Sequence, residues 1–232
     1  MSEDKKKHPI NVWPDSSAAM FFDTRSDDYR NRYDPKGSDT PFFRNLLNEE
    51  INKFNTVNGS SWVLENDFVD SFVKKIIKQN NTAIITTLYS FIFEKNDIIE
   101  MIDLRGYHGG STEPMIMHLF KGSLVFETLF KLDSSNSPSL GTLIKNLFGD
   151  RFFEYYGCTK REIETFKDII NYIKKDEFGF PYTAFCVTQK IRNLSAHDLN
   201  WEDSFTVENY EIIYNQIIYA IFYVLEQKFF SV

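Results

Sequence analysis

The chain has 232 residues, of which 42% are hydrophobic, 25% charged and 16% aromatic, and this size suits one large domain or two small ones. Its 23 phenylalanines, 12 tyrosines and 3 tryptophans exclude a wholly disordered chain, because they supply enough apolar side-chain area for a core. Its formal net charge of −7 argues against a protein that coats DNA by general electrostatic attraction, but does not exclude a small basic site for RNA.

The first forty residues are predicted to form an irregular N-terminal arm. No helical or strand period holds in residues 1–40, and Pro9, Pro14 and Pro35 interrupt them. No apolar run follows the charged start, so a signal peptide is not expected. Such an arm either docks through its few aromatic side chains or serves as a regulatory or partner-binding tail.

Residues 41–111 are predicted to form a helical N-terminal region. Apolar side chains recur at steps of three and four residues from its start, which predicts a helix that ends at Asn58. A second helix is expected over residues 67–78, and a third, buried helix over residues 83–93. The stretch 103–111 is predicted to be a loop, and it lacks the Gly-Lys-Ser or Gly-Lys-Thr of a nucleotide-binding loop.

The rest of the chain, residues 112–232, is predicted to be a bundle of helices. In chain order they are expected at Glu113–Leu132, at Leu140–Phe148, from the capping box Thr159–Glu162 to about Lys175, around Phe185, Ile191 and Leu194, and at Val207–Phe230 with Thr206 as its cap. No internal repeat and no hairpin signal occurs. The predicted fold class is therefore all-α.

Cysteine usage and hydropathy bear on where the protein acts. Cys158 and Cys186 are too few for a disulfide-stapled secreted domain, and both are expected to be free thiols. The most apolar stretch, 212–225, contains Asn215 and Gln216 and is too short to cross a bilayer core of about 30 Å. We therefore expect a cytoplasmic protein with no membrane partner.

One short segment combines residues suited to phosphodiester chemistry. Arg192 is followed directly by Asn193, and His197 comes after three further residues, so Asn193 and His197 share a helix face. Arg192 and His197 are five residues apart, about 140° around an ideal helix. They converge only if Arg192 reaches around the helix or if a dimer places both in one cleft.

The three side chains have complementary chemistry. An imidazole such as that of His197 can exchange a proton near neutral pH, and a guanidinium such as that of Arg192 can stabilise charge on a phosphate. Asn193 can orient the imidazole or a phosphate oxygen. The alternative interpretation is a plain helical adaptor in which Arg192 and His197 form an internal structural pair.

The other histidines carry no comparable pattern. His8 is expected to be solvated, and His108 and His118 are expected to have structural roles. No His and Cys cluster has the spacing of metal ligands, and no His-Glu-x-x-His motif occurs. Neither a metal nor a cofactor is expected.

The segment Arg192-Asn193-x-x-x-His197 resembles the Arg-x4-6-His signature of the HEPN superfamily. His118–Lys131 is similar to the first long helix of such domains, which commonly carries an inward glutamate, here Glu127. The resemblance covers about residues 112–232 and implies an up-and-down helical bundle. It also implies a homodimer in which two Arg-x4-His motifs face each other across a shared cleft.

The resemblance further implies a metal-independent endoribonuclease of the toxin, abortive-infection or other antiviral-defence type. In that reaction the RNA 2′-hydroxyl attacks the adjacent phosphate and leaves a 2′,3′-cyclic phosphate. His197 would act as general acid or base, Arg192 would stabilise the phosphorane, and Asn193 would position one of them. Glu127 is expected either as a supporting polar group or as a surface salt-bridge partner. The implied partners are RNA, a second copy of the chain and an antitoxin or regulatory protein.

Two features limit this expectation, and a third, the aromatic last helix, bears on the dimer. Leu199 stands where many such toxins carry a tyrosine that accepts a nucleotide modification, so that form of regulation is not expected. From Glu113 onward the chain has 12 basic and 16 acidic side chains, so RNA would need a local basic patch. The last helix is unusually aromatic, which indicates either burial on most sides or an interface. The alternative function is a non-catalytic HEPN-like module that binds a nucleotide or a protein.

Overall fold

The computed structural model describes residues 39–79, 81–108, 113–132, 139–149, 163–197 and 206–230; the side chains of residues 39–43, 65, 103–108, 196 and 197 are not described. Every regular element in these ranges is a helix, which confirms the all-α class. The predicted arm, up to residue 38, and the predicted capping box Thr159–Glu162 lie outside the described residues.

Nine α-helices and two π-helical segments make up the described part of the chain. The α-helices are α1 (Asp39–Asn58), α2 (Lys74–Lys78), α3 (Thr82–Phe93), α4 (Lys95–His108), α5 (Glu113–Lys131), α6 (Leu140–Phe148), α7 (Phe166–Lys175), α8 (Tyr182–His197) and α9 (Val207–Leu225). The π-helical segments are Leu64–Val73, which leads into α2, and Glu226–Phe230, which continues α9. Within the described ranges, no helix has the length and apolar character to cross a membrane.

The chain divides into two compact units between Phe93 and Glu94. In the first unit, α1 buries one face through Leu47, Ile51 and Phe54, and the Phe54 ring lies 4.8 Å from that of Trp62. These buried positions are three and four residues apart, as the sequence pattern predicted. The predicted helical region 41–111 and bundle 112–232 divide the chain at a different place, and that division stays a prediction.

Helix α3 confirms the buried helix expected at residues 83–93. Its buried residues cover about 160° of its circumference, a broad face rather than the whole helix; they are Ile84, Ile85, Leu88, Tyr89, Phe91 and Ile92. Its many β-branched residues favour strands, but a run of this length and burial is satisfied as a helix inside the unit.

In the second unit, α9 packs against α4, α5, α7 and α8. Tyr210, Tyr214 and Phe222 are fully buried in it, while Tyr219 and Tyr223 are half-buried. Thr206 begins the helix as predicted, because its Oγ1 accepts a hydrogen bond from the backbone N–H of Asn209 at 3.2 Å. Burial against its own unit accounts for the aromatic content of α9, so that content gives no support to an interface.

The loop predicted at residues 103–111 is wrong for its first part, because α4 continues to His108. Gly106 lies within α4, and a glycine inside a helix costs about 1 kcal/mol of stability. The burial of apolar side chains elsewhere on the helix can offset a cost of that size. Ile98 and Ile102 of α4 are buried and supply such packing. Residues 109–111 lie outside the described residues.

The onset predicted for the helix ending at Lys175 is also wrong. A capping box does begin α7, but it is formed by Thr165 and Asp168: Thr165 Oγ1 accepts from the Asp168 N–H at 3.2 Å, and Asp168 Oδ2 accepts from the Thr165 N–H at 3.0 Å. Thr165 has extended backbone angles, φ −130° and ψ 163°. The helix therefore cannot start before it.

Cys186 corrects the expectation of free thiols. It is fully buried in α8 and disulfide-bonded, while Cys158 lies outside the described residues. Disulfides are typical of oxidising compartments. The cysteines therefore give no support to a cytoplasmic location, which stays a prediction.

Candidate functional site

The structure brings Glu127 of α5 and Arg192 of α8 into direct contact, although they are 65 residues apart in sequence. Arg192 Nε donates a hydrogen bond to Glu127 Oε2 at 2.9 Å. Lys131 Nζ donates to the other carboxylate oxygen, Oε1, at 2.6 Å. We call Glu127, Lys131 and Arg192 the charged cluster.

The charged cluster is positioned by residue spacing within α5 and by an aromatic contact between α5 and α8. Glu127 and Lys131 are four residues apart on α5, so they share one face of that helix. Between α5 and α8, the ring of Phe185 lies edge-on to Phe126 at 5.0 Å and to Phe130 at 5.7 Å. All three rings are buried. This aromatic contact holds the last turns of α5 beside α8 and so places Glu127 within reach of Arg192.

Glu127 is the most buried member of the cluster. Its side chain is 10% exposed, whereas the side chains of Lys131 and Arg192 are each 35% exposed. Burial alone would raise the pKa of the Glu127 carboxyl, but the hydrogen bonds and charges of Lys131 and Arg192 outweigh burial and lower that pKa below its ordinary value of 4.5. Glu127 is therefore an anion at neutral pH, and it forms its salt bridges with Lys131 and Arg192 from a largely buried position.

The charged cluster lies at a cavity of about 340 Å³ formed by three helices. Its lining consists of Glu127 and Lys131 from α5, Ser139, Leu140 and Gly141 at the start of α6, and Gln189, Arg192 and Asn193 from α8. Its volume is within the range of small-molecule sites, about 300–1,000 Å³.

The cavity can bind an anion. Two cations and one carboxylate leave the charged cluster with a formal charge of +1. Arg192 uses Nε for Glu127, and its Nη1 donates to Asn193 Oδ1 at 3.4 Å. The buried carboxylate therefore fixes one edge of the guanidinium, while the rest of the side chain remains partly exposed. A guanidinium held in this way is suited to a phosphate group.

The site residues expected from sequence are placed as follows. Glu127, Arg192 and Asn193 are brought together at the cavity. His197 is the last residue of α8, and its side chain lies outside the described residues. Lys131 and Gln189 were not expected, although their spacing from Glu127 and Arg192, four and three residues, is the signal that would have indicated them.

The remaining histidines divide into one that the structure describes and two whose side chains it does not. His118 is buried, its Nδ1 lies 2.8 Å from the Tyr210 hydroxyl, and its ring stacks on Tyr214 at 6.2 Å between centroids. These contacts join α5 to α9, which fits the structural role expected of His118. The side chains of His8 and His108 lie outside the described residues.

Comparison with protein-family models, with curated proteins and with solved structures finds no match to this chain. Within the described ranges, no group of three or more His, Cys, Asp or Glu residues is arranged to hold a metal ion.

Proposed function

We propose that the chain is a metal-independent endoribonuclease of the HEPN type, acting in toxin or antiviral-defence systems. The observation that carries this proposal is the anchored Arg192. A residue singled out by the sequence motif lies at a cavity and is oriented by a buried carboxylate, together with a second cation. This is the arrangement expected of a group that stabilises negative charge developing on a phosphate.

In the proposed reaction the 2′-hydroxyl oxygen of RNA attacks the adjacent phosphorus. The bond from phosphorus to the 5′-oxygen breaks, which gives a 2′,3′-cyclic phosphate and a 5′-hydroxyl end. His197 takes the proton of the 2′-hydroxyl or supplies one to the leaving 5′-oxygen. Arg192 stabilises the charge of the phosphorane, and Asn193 positions one of these groups. Glu127 is the positioning residue that orients Arg192.

The proposed active form is a homodimer. A spacing of five residues places Arg192 and His197 about 140° apart on one helix, so two chains that share a cleft would supply an Arg from one copy and a His from the other. The formal charge of +1 at the charged cluster provides a local site for a polyanion on an otherwise acidic chain. An antitoxin or regulatory protein as partner belongs to the same proposal.

A second candidate function is a non-catalytic module that binds a nucleotide or protein through the same cavity. Two observations favour it: Glu127 already engages both cations within one chain, and the cavity volume of about 340 Å³ suits a small ligand. The two functions differ in whether His197 is needed for turnover or only for binding.

RNA cleavage in EDTA by the wild type, Arg192→Ala and His197→Ala tests the proposal. Lys174→Ala is the matched control, because Lys174 pairs with the exposed Glu208 at 3.5 Å and is not among the cavity residues. We expect cleavage by the wild type and the control, and loss of cleavage in the two site variants with unchanged thermal melts. The product ends should be cyclic phosphates.

Mixing the two inactive variants tests the shared cleft. If each active site uses Arg192 of one copy and His197 of the other, a mixed dimer keeps one complete pair and regains part of the activity. If the folded wild type binds a nucleotide but does not cleave RNA, the endoribonuclease proposal is rejected in favour of the binding module. Site variants that lose only stability would instead favour the adaptor interpretation.

A further inference from the structure

The charged cluster depends on the last turn of α5, and that turn is held from outside the cluster. The last four carbonyl groups of an α-helix have no intrahelical donor, and helix ends fray unless other groups bind them. In α5 the carbonyl oxygen of Phe130 accepts a hydrogen bond from Lys228 Nζ at 2.7 Å. Lys228 lies 98 residues further along the chain, in the π-helical segment that continues α9.

The buried ring of Phe185 contacts both Phe130 of α5 and an aromatic residue of α9. The ring of Phe130 contacts Phe185 of α8 at 5.7 Å, and Phe185 in turn contacts Tyr223 of α9 at 5.6 Å. The hydrogen bond from Lys228 to the Phe130 carbonyl connects α5 directly to the π-helical segment that continues α9. The end of α5 is therefore fixed on its aromatic side and on its backbone.

The same turn of α5 carries two members of the charged cluster. Glu127 and Lys131 lie one helical turn apart, with Phe130 between them. In an α-helix the N–H of residue 131 bonds to the carbonyl of residue 127, so fraying of this turn moves both side chains relative to Arg192. A positive charge near a helix C-terminus is also favourable, because the helix dipole is negative there.

We propose that Lys228 is a positioning residue, which holds the last turn of α5 so that Glu127 and Lys131 meet Arg192. The inference rests on the proposed function for its activity readout, whereas its geometric readout does not require that function. Lys228 touches neither the carboxylate nor the guanidinium in any contact that the structure describes, so it acts through α5.

The test compares Lys228→Met, which keeps the length of the side chain but removes the donor, with Lys228→Arg, which keeps a donor and the charge. Lys174→Met is the matched control: it removes a lysine in the last turn of α7 that pairs at 3.5 Å with Glu208, in the first turn of α9, whereas Lys228 follows the other end of α9. NMR of the full chain measures the titration of the Glu127 carboxyl and the Nε–H signal of Arg192. Cleavage assays measure kcat and KM separately.

In Lys228→Met we expect the pKa of Glu127 to rise toward its ordinary value, because burial is then less well offset by the hydrogen bonds of Arg192 and Lys131. The Arg192 Nε–H signal should shift, and kcat should fall about tenfold with little change in KM, because a small misplacement near reacting groups has an effect of at least that order. Lys228→Arg and Lys174→Met should both keep the wild-type values of the Glu127 pKa, the Arg192 Nε–H signal and kcat.

A lower melting temperature in Lys228→Met, with the Glu127 titration and the Arg192 signal unchanged, would overturn the inference and leave Lys228 as an ordinary helix cap. If Lys228→Met folds poorly, Lys228→Leu, which also lacks the donor, takes its place in the same measurements. A wild type without RNase activity, combined with a shifted Glu127 titration in the variant, would reject the proposed function and keep the positioning role.

Discussion

Glu127→Gln removes the negative charge between Lys131 and Arg192 while it keeps the shape of the side chain. The Glu127 side chain is 10% exposed and its carboxylate accepts hydrogen bonds at 2.6 Å and 2.9 Å from the two cations. A hydrogen bond to a charged group contributes roughly 1.5–3 kcal/mol. Two such bonds therefore set an upper limit of about 3–6 kcal/mol on the loss of unfolding free energy.

The expected loss is smaller than this limit for two reasons. The side chains of Lys131 and Arg192 are each 35% exposed, so water screens their charges and hydrates them once the carboxylate is gone. The amide oxygen of glutamine also still accepts one hydrogen bond. We expect a loss of about 2 kcal/mol, which lowers the melting temperature by roughly 4–8 °C for a chain of this size.

Urea and thermal unfolding followed by circular dichroism measure this difference. Glu94→Gln is the matched control, because Glu94 accepts a hydrogen bond from Lys121 at 2.7 Å but is itself 40% exposed. An exposed ion pair of this kind contributes about 0.2–1 kcal/mol. Glu127→Gln should therefore be clearly less stable than Glu94→Gln.

The pH dependence gives a second readout of the same substitution. Because the folded protein lowers the pKa of Glu127 below 4.5, the folded state prefers the charged carboxylate. The stabilisation is complete above pH 4.5 and is lost as the pH falls through the lowered pKa. The stability gap between wild type and Glu127→Gln should be constant near neutral pH and should narrow in acid.

Two results would refute this reasoning. One is a Glu127→Gln variant that matches Glu94→Gln to within about 0.5 kcal/mol, since a charge held between two cations must cost more than a surface pair. The other is a stability gap that stays constant through the acid range, because Glu127 would then have the same pKa in the folded and unfolded chain.

Four further predictions address the scaffold. Thr165→Ala removes the oxygen that caps α7 and should cost about 1 kcal/mol in urea unfolding; no loss would mean that the cap is not formed. Gly149→Ala, at φ 77° and ψ −175°, a region almost exclusive to glycine, should cost roughly 1–3 kcal/mol in urea unfolding through backbone strain alone, since an added Cβ meets nothing within 4 Å. Phe126→Ala opens a cavity at a fully buried ring and should cost about 3–5 kcal/mol; a cost below about 1 kcal/mol would contradict that burial. Cys186 should resist alkylation in urea until a reductant is added, as read by mass spectrometry of its peptide, whereas modification without reductant would contradict its disulfide.

Local pattern was sufficient for most of the helices. The period of apolar residues predicted the ends of α1, α5 and α6 to within two residues, because a helix that buries one face must repeat that face every three or four positions. The cap at Thr206 was also predicted from its side chain, since its hydrogen bond is made three residues away. These features depend on neighbours in sequence.

The sequence pattern gave the wrong helix boundary where two neighbouring segments could each begin or end a helix. Two Thr-x-x-acid segments precede Lys175, and the one that begins α7 uses Thr165 and Asp168. The glycine-containing stretch 103–111 was predicted to be a loop, but α4 passes through residues 103–108 and gains from the burial of Ile98 and Ile102. Tertiary packing of a few side chains outweighs a propensity of about 1 kcal/mol.

The sequence alone thus established an all-α chain, the course of its main helices and the Arg192–Asn193 pair as a candidate site. It offered Glu127 without saying what it would meet, and it offered no link between Lys228 and α5. The contact between Glu127 and Arg192 crosses 65 residues, and the contact between Lys228 and Phe130 crosses 98. Such pairs form only when the aromatic contacts among α5, α8 and α9 set the distances between the helices, and no periodicity along a single helix encodes those distances.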